Sequence, residues 1–576
     1  MSANDLFLKF FKEEGRTYLL GVALLIIINL IFLEMPKLIG EAVDTLSHGK
    51  EGLSEYILLF VAIMIAVTLL KSISRRMLLG SIRKMEYVFR SNLCNHALAI
   101  PVSYYEEHGP GKVMTLMTSD VTSLRVSLGL GVMIVVDAIF FGLCSFYHLV
   151  DNVSLPLACI IMSPMPFIII GVLLVGQTMR KKQRQAQSTY SRLTEFSQEI
   201  LLGINVIRAF NKEYMGALRF STINQDNYEK NLEVSFLDAL LKPLTFIAPL
   251  SCLGISIYVC GTMVVHGSMT VGTFVSVNAY IMLMIGPLMG LGSLASVMQK
   301  GLASFDRISK FLSIPKEVIT GHDKPLLPLD TVRLDNLTFS YGHNTHPALT
   351  NVSMEIPAGA FIGIVGGPGS GKTTLFKLLT RIQEPMEGHI FIGNQDIVDI
   401  PLAVLRRSIA YVEQEGNVLG TTIRDNIAFG EVGKNHISVE EAARRASLYR
   451  DLGERISNHK KGALKERGNN LSGGQKQRVT IARGLYKNAP YVLLDDSFSA
   501  LDTMSAATII ETLRTTQQQT IIFISQRIEA IRQADMIYVM DAGQIVERGT
   551  HQELMNQKGL YYQLYAKQEE SEVYHA

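Results

Sequence analysis

Six long apolar runs fill the first half of the chain and limit its possible folds more than any other feature. Each has close to the roughly 20 residues that a helix needs to cross the hydrocarbon core of a bilayer. The runs lie near residues 17–39, 54–73, 126–150, 154–176, 240–265 and 271–297. The second is the weakest, because Lys71 follows soon after its apolar centre. This pattern predicts a membrane domain of six helices.

The composition differs between the two halves of the chain. Hydrophobic residues make up 48% of the 576 residues, the mean hydropathy is +0.22, and the apolar content is concentrated before residue 300. The remainder has the character of a soluble α/β domain. A net charge of +2 argues against a protein that binds polyanions, so no nucleic-acid partner is expected. The N-terminal stretch MSANDLFLKFFKEEGR lacks the features of a removable signal peptide, so the first run is expected to be retained.

Basic residues indicate how the spans are oriented in the membrane. Basic clusters precede the first span and follow the second, fourth and sixth, whereas the alternate connections SHGKEG, VDNV and VHGSMT are short and carry few positive charges. The sequence therefore predicts a multi-pass protein of the cell membrane, in contact with the lipid bilayer, with both termini in the cytoplasm.

The two long connections, roughly 75–125 and 177–239, are expected to be cytosolic. Both are rich in helix formers with helical apolar spacing. At about 1.5 Å per residue such helices extend tens of ångströms beyond the bilayer; a pair of small cytosolic subdomains is the alternative. Residues 313–330 contain three prolines and are expected to link a membrane domain, 1–312, to a second domain, 331–576.

The strongest motif of the second half is GGPGSGKTT, which fits the phosphate-binding pattern G-x-x-x-x-G-K-[ST]. It follows the predicted strand FIGIVG and precedes the predicted helix LFKLLTRI, as the motif requires. Glycines let backbone N–H groups turn toward phosphate oxygens, and the helix N-terminus adds its dipole. Lys372 is expected to reach the β- and γ-phosphates of ATP and Thr373 to bind Mg²⁺. The predicted nucleotide-binding residues of the motif are Gly366, Gly367, Pro368, Gly369, Ser370, Gly371, Lys372, Thr373 and Thr374.

Two further motifs follow at characteristic distances. LSGGQKQR, residues 471–478, opens a predicted helix, and YVLLDDSFSALD, residues 491–502, ends an apolar run in two aspartates. With the phosphate-binding motif they resemble the ATP-binding cassette (ABC) family, and the first half resembles the membrane domain of its exporters. The resemblance implies an all-α six-helix membrane domain followed by a cytosolic α/β P-loop ATPase domain, and an ATPase activity that uses ATP and Mg²⁺ to drive transport.

Roles for individual residues follow from this resemblance. Tyr341 matches the aromatic residue that stacks on adenine, and Gln414 matches the glutamine that contacts Mg²⁺ and senses the nucleotide. Asp495 matches a further Mg²⁺ ligand beside Thr373. The signature turn is implied to act on ATP held by an opposite subunit; it consists of Ser472, Gly473, Gly474 and Gln475.

Other stretches resemble the family's contact segments. KERG, 465–468, resembles a segment that touches the membrane domain, and Ser499–Asp502 the loop that crosses to a partner's site. Ser119–Arg125 and Gly203–Asn211 resemble the coupling helices that dock on the nucleotide domains. One membrane half with one cassette makes a half-transporter, which must dimerise with a second subunit.

Two positions depart from the family pattern. Asp496 stands where the family has a glutamate that handles the attacking water, and Gln526, in ISQR, stands where it has a histidine. The shorter aspartate withdraws the carboxylate by about 1 Å or more, and such a misplacement costs on the order of 10²-fold in rate. The sequence predicts a degenerate site that binds ATP but hydrolyses it slowly. The alternative is that Asp496 still serves as the base.

The unaltered signature turn beside this altered site resembles the degenerate-site subunit of bacterial heterodimeric multidrug exporters. The resemblance implies a partner half-transporter with an intact catalytic glutamate and a hydrophobic or amphipathic small-molecule cargo. A lipid, peptide or siderophore-like cargo, or a homodimer, is the closest alternative. A channel or receptor regulated by ATP is a different class that the sequence allows, whereas six spans argue against a soluble ABC ATPase.

Asp137 lies inside the third span, in MIVVDAIFF. An ionisable side chain at that depth is energetically costly and therefore marks a functional candidate. Asp137 is a candidate residue of the substrate cavity, where it would attract cationic cargo or relay protons. A structural acid that is hydrogen-bonded to a neighbouring helix is an equal alternative.

Overall fold

A computed structural model describes residues 3–48, 52–317, 320, 324–342, 346–429, 437–458, 461–465, 468–515 and 519–573. The chain divides into two compact units. The first comprises residues 1–100 and 108–315, and the second comprises residues 101–107 and 316–576. The short stretch 101–107 is thus separated in sequence from the rest of the unit to which it belongs.

The chain up to residue 312 is helical. Its α-helices are α1 (Ala3–Leu33), α2 (Met35–Ser47), α3 (Leu53–Ala97), α4 (Val102–His108), α5 (Pro110–Thr115), α6 (Val121–Val126), α7 (Val132–Val153), α8 (Leu155–Met162), α9 (Pro164–Leu202), α10 (Ile204–Ala209), α11 (Glu213–Val265), α12 (Val271–Leu283) and α13 (Ile285–Leu312). Two π-helical turns, Leu116–Asp120 and Ser127–Gly131, interrupt the region between α5 and α7.

The apolar runs of the sequence lie in these helices. Among the described residues, three helical stretches are long and apolar enough to cross a membrane by length and composition: Ala3–Ser47, Leu53–Ala97 and Pro110–Val153. Shorter apolar helical stretches cover Leu155–Pro166, Pro249–Val265 and Val271–Leu283. The long predicted connections are continuous with these helices, since α3 has 45 residues, α9 has 39 and α11 has 53. At about 1.5 Å per residue each is longer than a bilayer core is thick.

The first predicted coupling stretch, Ser119–Arg125, is part of the first unit. Asp120 is 3% exposed, and both of its carboxylate oxygens accept hydrogen bonds from Arg307 of α13, at 3.0 Å from Nε and 2.5 Å from Nη2. Ser304 donates a third hydrogen bond at 2.9 Å. These contacts anchor Ser119–Arg125 to α13, and the stretch that groups with the second unit is 101–107; the docking role of Ser119–Arg125 stays a prediction. Gly203–Asn211 also lies in the first unit, around α10.

Close packing joins α2 to α12. A Cβ atom on Gly40 would lie 2.0 Å from the hydroxyl of Ser276, and one on Gly272 would lie 2.0 Å from the carbonyl of Gly40, so the two backbones approach only because both residues are glycine. The carboxylate of Asp44 accepts hydrogen bonds from the backbone N–H of Gly272 and from the hydroxyl of Thr270, each at 2.6 Å. These contacts fix the end of α2 against the first turn of α12.

The second unit is an α/β domain with two sheets. Its strands are β1 (Val332–Phe339), β2 (Leu349–Ile356), β3 (Phe361–Gly366), β4 (Glu387–Ile392), β5 (Gln395–Asp396), β6 (Ile409–Val412), β7 (Tyr491–Asp495), β8 (Thr520–Ile524), β9 (Met536–Asp541) and β10 (Gln544–Gly549). Its helices are α14 (Lys372–Leu379), α15 (Leu402–Ser408), α16 (Ile423–Ile427), α17 (Val439–Arg445), α18 (Tyr449–Ser457), α19 (Gly473–Lys487), α20 (Thr503–Thr515), α21 (Ile528–Ile531), α22 (His551–Gln557) and α23 (Leu560–Val573).

The larger sheet has the strand order β10-β9-β3-β8-β7-β6, and its five strands other than β10 run parallel. Alternate residues enter cores on opposite faces: Val492 and Leu494 of β7 pack in one cluster, and Tyr491 and Leu493 pack in the other. A smaller antiparallel sheet has the order β2-β1-β4-β5. Since parallel strands end at the same edge, the loops after β3, β6, β7 and β8 meet there.

Described residues in both halves of the predicted linker are bound to the α/β unit. Arg406 donates two hydrogen bonds to the carboxylate of Glu317, each at 2.8 Å. The backbone N–H of Leu327 donates to Ser408, and Tyr491 donates to the carbonyl of Pro328 at 3.0 Å. The segment that links the two domains without being bound to the α/β unit is therefore shorter than the predicted 313–330.

Candidate nucleotide-binding site

The carboxyl edge of the larger sheet contains a cavity of about 420 Å³. It brings together the phosphate-binding motif after β3, Gln414 after β6, the two aspartates at the end of β7, and Gln526 after β8. The lining residues are Tyr341, Ala348, Pro368, Gly369, Ser370, Gly371, Lys372, Thr373, Thr374, Gln414, Asp495, Asp496, Ile524 and Gln526. Most of the predicted nucleotide-binding and magnesium-binding residues therefore share one cavity.

The phosphate-binding loop has the conformation that its glycines allow. Gly369 and Gly371 have φ angles of 77° and 95°. A Cβ atom on Gly371 would lie 2.6 Å from the side chain of Leu349 and 2.7 Å from the carbonyl of Ala348, so a larger residue does not fit. The loop enters α14 at Lys372, which places helix N–H groups beside the cavity, an arrangement suited to phosphate.

Lys372 is held inside this loop and is 8% exposed. Its ammonium group donates to the carbonyls of Gly366 and Gly367 at 2.9 and 2.7 Å and to the hydroxyl of Ser370 at 3.0 Å. Gly366 and Gly367 thus contribute to the site by accepting hydrogen bonds from Lys372 through their backbone carbonyls. Burial lowers the pKa of Lys372, and the nearby carboxylates of Asp496 and Asp495 oppose this effect. The three donated hydrogen bonds and the two carboxylates all favour the charged ammonium form.

Asp495 lies at the end of β7 and is 1% exposed. One carboxylate oxygen accepts a hydrogen bond from Thr373 at 3.1 Å, and the other accepts one from Tyr411 at 3.2 Å. Burial raises the pKa of Asp495, although both hydrogen bonds favour the ionised form. A buried carboxylate beside a hydroxyl and the amide of Gln414 is a set of hard oxygen donors that fits Mg²⁺. When bound, the ion supplies positive charge next to the phosphate oxygens.

Tyr411 is a candidate site residue that the sequence alone did not identify. It lies on β6, where it pairs with Leu493 of the parallel strand β7. Burial raises the pKa of Tyr411, so its hydroxyl stays protonated. The hydroxyl therefore donates a hydrogen bond to Asp495 and orients that carboxylate. Its position three residues before Gln414, on a strand that ends at the same edge, was the available signal.

Asp496 is 6% exposed and has a φ angle of 42°, a left-handed conformation that aspartate tolerates better than most residues. One carboxylate oxygen accepts from the backbone N–H of Gln526 at 3.4 Å. The other accepts from the side-chain amides of Gln526, at 3.4 Å, and Gln414, at 3.3 Å. Burial raises the pKa of Asp496. The hydrogen bond from the backbone N–H of Gln526 and the positive charge of Lys372 oppose this effect. The two positions that depart from the family pattern are therefore in direct contact.

The signature turn lies at the start of α19 and is not part of the cavity lining. The hydroxyl of Ser472 accepts from the backbone N–H of Gln475 at 3.3 Å, and the side chain of Gln475 accepts from the N–H of Ser472 at 3.1 Å. This capping box fixes the first turn. A Cβ atom on Gly474 would lie 2.9 Å from the carbonyl of Ala500, whereas one on Gly473 would meet nothing closer than 3.9 Å. Within this chain the turn therefore borders the 499–502 loop.

Gln477, also not identified from the sequence, joins three functional segments. Its side-chain amide donates to the hydroxyl of Ser499 at 3.2 Å and to the carbonyl of Gln414 at 3.5 Å. Its oxygen accepts from the backbone N–H of Ala500 at 3.0 Å. The helix after the signature turn is thereby tied to the loops that bear Gln414 and Ser499. Of the KERG segment, Glu466 and Arg467 lie outside the described residues.

Tyr341 lines the cavity on the side of the phosphate-binding helix. Its hydroxyl lies 3.2 Å from that of Thr374, its ring packs edge-on against Phe339 at 4.9 Å, and the ammonium of Lys377 lies 5.4 Å from its ring centroid. Lys377 also pairs with Glu106, of the 101–107 stretch, at 2.7 Å. Its place in the cavity lining, beside Thr374 of α14, is compatible with the predicted aromatic contact to adenine.

Asp137 lies on α7 in the first unit and is not one of the residues that line this cavity. It accepts a hydrogen bond of 2.8 Å from the side-chain amide of Asn29 on α1, and Asn29 is 1% exposed. One turn further along, Phe32 and Phe141 pack edge-to-face at 5.9 Å. Asp137 is thus a half-buried carboxylate between two apolar helices, and its neighbours along α7 are apolar.

Two family descriptions match the chain: an ABC transporter transmembrane region over residues 18–288 and an ABC transporter over residues 349–499. The chain is 33% identical over 569 residues to a probable multidrug resistance ABC transporter ATP-binding/permease protein of Bacillus subtilis, with 97% of this chain and 96% of the relative covered. It is 32% identical to a multidrug resistance-like ATP-binding protein of Escherichia coli, covering 97% and 95%. An ATP-dependent lipid A-core flippase of Chromohalobacter salexigens is 33% identical, covering 84% of each chain.

A solved structure of a bacterial Atm1-family ABC exporter with ATP bound resembles the whole chain. The TM-score is 0.77 at 24% sequence identity, with 97% of this chain and 98% of that chain covered. The predicted fold class, a helical membrane-spanning exporter domain followed by an α/β nucleotide-binding domain, is confirmed by this likeness and by the two family matches.

Proposed function

The chain belongs to the ABC exporters, whose ATP hydrolysis is coupled to transport, and on that premise we propose that it is one half of a heterodimeric multidrug exporter. Its own phosphate-binding loop holds ATP with Mg²⁺ but hydrolyses it poorly. Its signature turn completes the site of a partner half-transporter that carries the catalytic glutamate. The cargo is a hydrophobic or amphipathic compound.

The observation that carries the proposal is the pair Asp496 and Gln526. Both carboxylate oxygens of Asp496 already accept hydrogen bonds from glutamine N–H groups at 3.3–3.4 Å. These bonds occupy three of the roughly four lone-pair positions of the carboxylate. A general base must also come within about 2.6–3.2 Å of the proton that it abstracts, directly or through one water, and the aspartate side chain is shorter than the glutamate of the family pattern. Gln526 donates but carries no charge with which to stabilise the transferred phosphoryl group. Binding is preserved because Lys372, Thr373 and Asp495 keep their positions.

The surface of the membrane helices supports a second subunit. Only 11% of the most apolar part of α3 is buried within this chain. Large apolar side chains of α10 and its flanks are also exposed, among them Val206 at 62% and Phe210 at 71%. Apolar surface of this extent is normally covered by lipid or by protein. The placement of Ser472 outside the cavity of its own chain is what a composite site between two subunits requires.

Asp137 is the proposed contact for positively charged cargo. A carboxylate at membrane depth costs about 2.5–3.5 kcal/mol to insert. The amide of Asn29 offers one neutral hydrogen bond at 2.8 Å, which orients the carboxylate but does not neutralise its charge. A lipophilic cation bound beside Asp137 supplies the positive charge that neutralises the carboxylate. The names of the Bacillus subtilis and Escherichia coli relatives support a multidrug cargo.

The transport cycle that follows from this arrangement has four steps. Cargo enters a cavity between two membrane halves that opens to the cytoplasm, where the termini and the nucleotide domains lie. ATP binding closes the two nucleotide domains on each other. The long helices α3, α9 and α11 carry this motion to the cell membrane, and the cavity opens outward. Hydrolysis at the partner's site resets the exporter. The two states must differ by only a few kcal/mol for ATP to shift their populations.

A lipid cargo is the second candidate, and a specific relative favours it. The lipid A-core flippase of Chromohalobacter salexigens is as similar in identity as the Bacillus subtilis relative, although it matches less of the chain. In that case the chain pairs with a copy of itself, and Asp496 acts as the base in both sites.

The test is to purify the tagged chain from its native membrane, identify what co-purifies at equal stoichiometry, and measure ATP hydrolysis. The proposal predicts one different half-transporter in the complex and slow hydrolysis by this chain alone. Recovery of the chain only with itself, with brisk hydrolysis, supports the homodimer and contradicts the proposal.

A further inference from the structure

We propose that Gln568, on the C-terminal helix α23, is a positioning residue for the Gln526 loop of this chain's nucleotide site. Its side-chain amide makes two hydrogen bonds to the backbone of that loop, a contact called the two-point grip below. The amide nitrogen donates to the carbonyl of Gln526 at 2.5 Å, and the amide oxygen accepts from the backbone N–H of Ile528 at 3.0 Å. The inference goes beyond the proposed function and applies equally to a heterodimer and to a homodimer.

The two-point contact requires a side chain that offers a donor and an acceptor in one plane. Glutamine and asparagine have this property, whereas lysine, arginine and ionised glutamate do not. The loop is also held on its other side. The guanidinium of Arg527 donates to the carbonyls of Ser499 and Leu501, each at 3.2 Å. The Gln526 loop is therefore clamped between α23 and the 499–502 loop.

The helix that carries Gln568 is itself firmly seated. Tyr561 is 0% exposed and packs in the core, and its hydroxyl lies 2.8 Å from Nδ1 of His551. The carboxylate of Glu547 accepts from the backbone N–H groups of Leu560 and Tyr561, which fixes the start of α23. Gln568 follows Tyr561 by seven residues, about two helical turns, so both lie on the face toward the domain.

The grip matters for the nucleotide because Gln526 lines the cavity. Its side-chain amide reaches the carboxylate of Asp496 at 3.4 Å. A shift of its backbone would move that amide relative to Asp496, whereas the phosphate-binding loop and Tyr341 belong to other segments and are expected to keep their positions. Lys372, which is expected to reach the β- and γ-phosphates, lines the same cavity as Gln526 and Asp496. Loss of the two hydrogen bonds is therefore expected to weaken binding of the terminal phosphate of ATP and to leave the rest of the nucleotide site intact.

The experiment measures how well ATP and ADP compete with 8-azido-ATP for photolabelling of this chain, in the complete exporter and at low temperature. Gln568→Met removes both hydrogen bonds and keeps the length of the side chain. Gln568→Glu keeps the acceptor but sets an oxygen against the carbonyl of Gln526. Both variants are expected to raise the half-effective ATP concentration about 3- to 10-fold, the loss that one or two hydrogen bonds produce. The ADP value is expected to stay unchanged.

Gln563→Met is the matched control, because Gln563 is exposed on the same helix, and it is expected to behave as the wild type. An equal loss for ATP and ADP would mean that Gln568 only stabilises the fold, and would overturn the positioning role. An unchanged ATP value for Gln568→Met would overturn it as well. Wild-type behaviour of Gln568→Glu would show that the bond to Gln526 does not act, and would overturn the two-point grip.

Discussion

The side-chain amide of Gln526 lies 3.4 Å from one carboxylate oxygen of Asp496, and the backbone N–H of the same glutamine lies 3.4 Å from the other. The two residues that depart from the family pattern thus form one interacting pair. A change at either position alters the surroundings of the other. Their effects on hydrolysis are therefore expected to be coupled, not additive.

Restoring the family residues at both positions is expected to restore hydrolysis at this site. Asp496→Glu alone lengthens the arm, but the left-handed backbone at φ 42° costs a longer residue on the order of 1 kcal/mol. Asp496→Glu with Gln526→His adds a donor that can carry charge, and is expected to raise the rate about 10- to 100-fold. The measurement is steady-state ATP hydrolysis by the purified exporter, with the partner's site inactivated.

Asp496→Asn with Gln526→His serves as the control for this restoration. It keeps the histidine and the size of the aspartate but has no carboxylate, so hydrolysis is expected to stay low. An unchanged rate in the Glu and His double variant would show that these two positions do not limit hydrolysis here.

The contact between Asp120 and Arg307 is expected to respond unequally to the loss of its two members. Arg307→Met leaves a carboxylate that is 95% buried without its cation, and is expected to lower the free energy of unfolding by about 2 kcal/mol. This is less than for a fully buried pair because the side chain of Arg307 is 55% exposed. In Asp120→Asn the guanidinium of Arg307 can be solvated by water instead. This change is expected to lower the free energy of unfolding by about half as much.

The measurement is denaturant unfolding of the purified protein in detergent. Lys310→Met is the control, because Lys310 is an exposed lysine of the same helix. It is expected to change the free energy of unfolding little. If Asp120→Asn destabilises the protein more than Arg307→Met, the account of this pair is wrong.

The sequence predicted which residues meet at the cavity of the larger sheet, because short motifs fix the course of the chain there. The strand before GGPGSGKTT and the helix after it set the course of the backbone, and the parallel sheet brings Asp495, Asp496, Gln414 and Gln526 to one edge. Contacts between residues distant in sequence were not predictable in this way. Tyr411 reaches Asp495 across 84 residues and Gln568 reaches Gln526 across 42, and no local pattern marks either contact.

The membrane half illustrates the same limit. Apolar length and helical spacing predicted long helices at the correct places, since hydrophobicity and helix geometry act locally. They did not reveal which short stretch groups with the nucleotide domain. Ser119–Arg125 was identified by its resemblance to a family segment, and no local pattern showed that Asp120 contacts Arg307, 187 residues away, and anchors that stretch to α13.

Asp137→Asn is expected to separate charged from neutral cargo. The amide keeps the size of the side chain and removes the charge that is proposed to attract lipophilic cations. Efflux of a monovalent lipophilic cation from cells or vesicles is expected to fall about 10-fold, the effect of losing roughly 1.4 kcal/mol of attraction. Efflux of a neutral amphipathic compound is expected to be unchanged.

Asn29→Leu tests whether orientation of the carboxylate by its hydrogen bond matters. It is expected to weaken cation efflux less than Asp137→Asn, because the charge remains. Equal loss of cation and neutral efflux in Asp137→Asn would indicate a structural acid and exclude the cargo contact.

The central claim is that this chain's own site is nearly silent while its signature turn serves a partner. The most direct measurement compares ATP hydrolysis by the purified exporter carrying Asp496→Ala with that carrying Ser472→Ala. Thr422→Ala is the control, because it removes a similar capping box of the same domain at a helix that does not carry the signature turn. The account predicts that Asp496→Ala and Thr422→Ala retain most of the turnover, whereas Ser472→Ala loses it on the order of 10²-fold. A loss in Asp496→Ala as complete as that in Ser472→Ala would identify the aspartate as the working base and contradict the account.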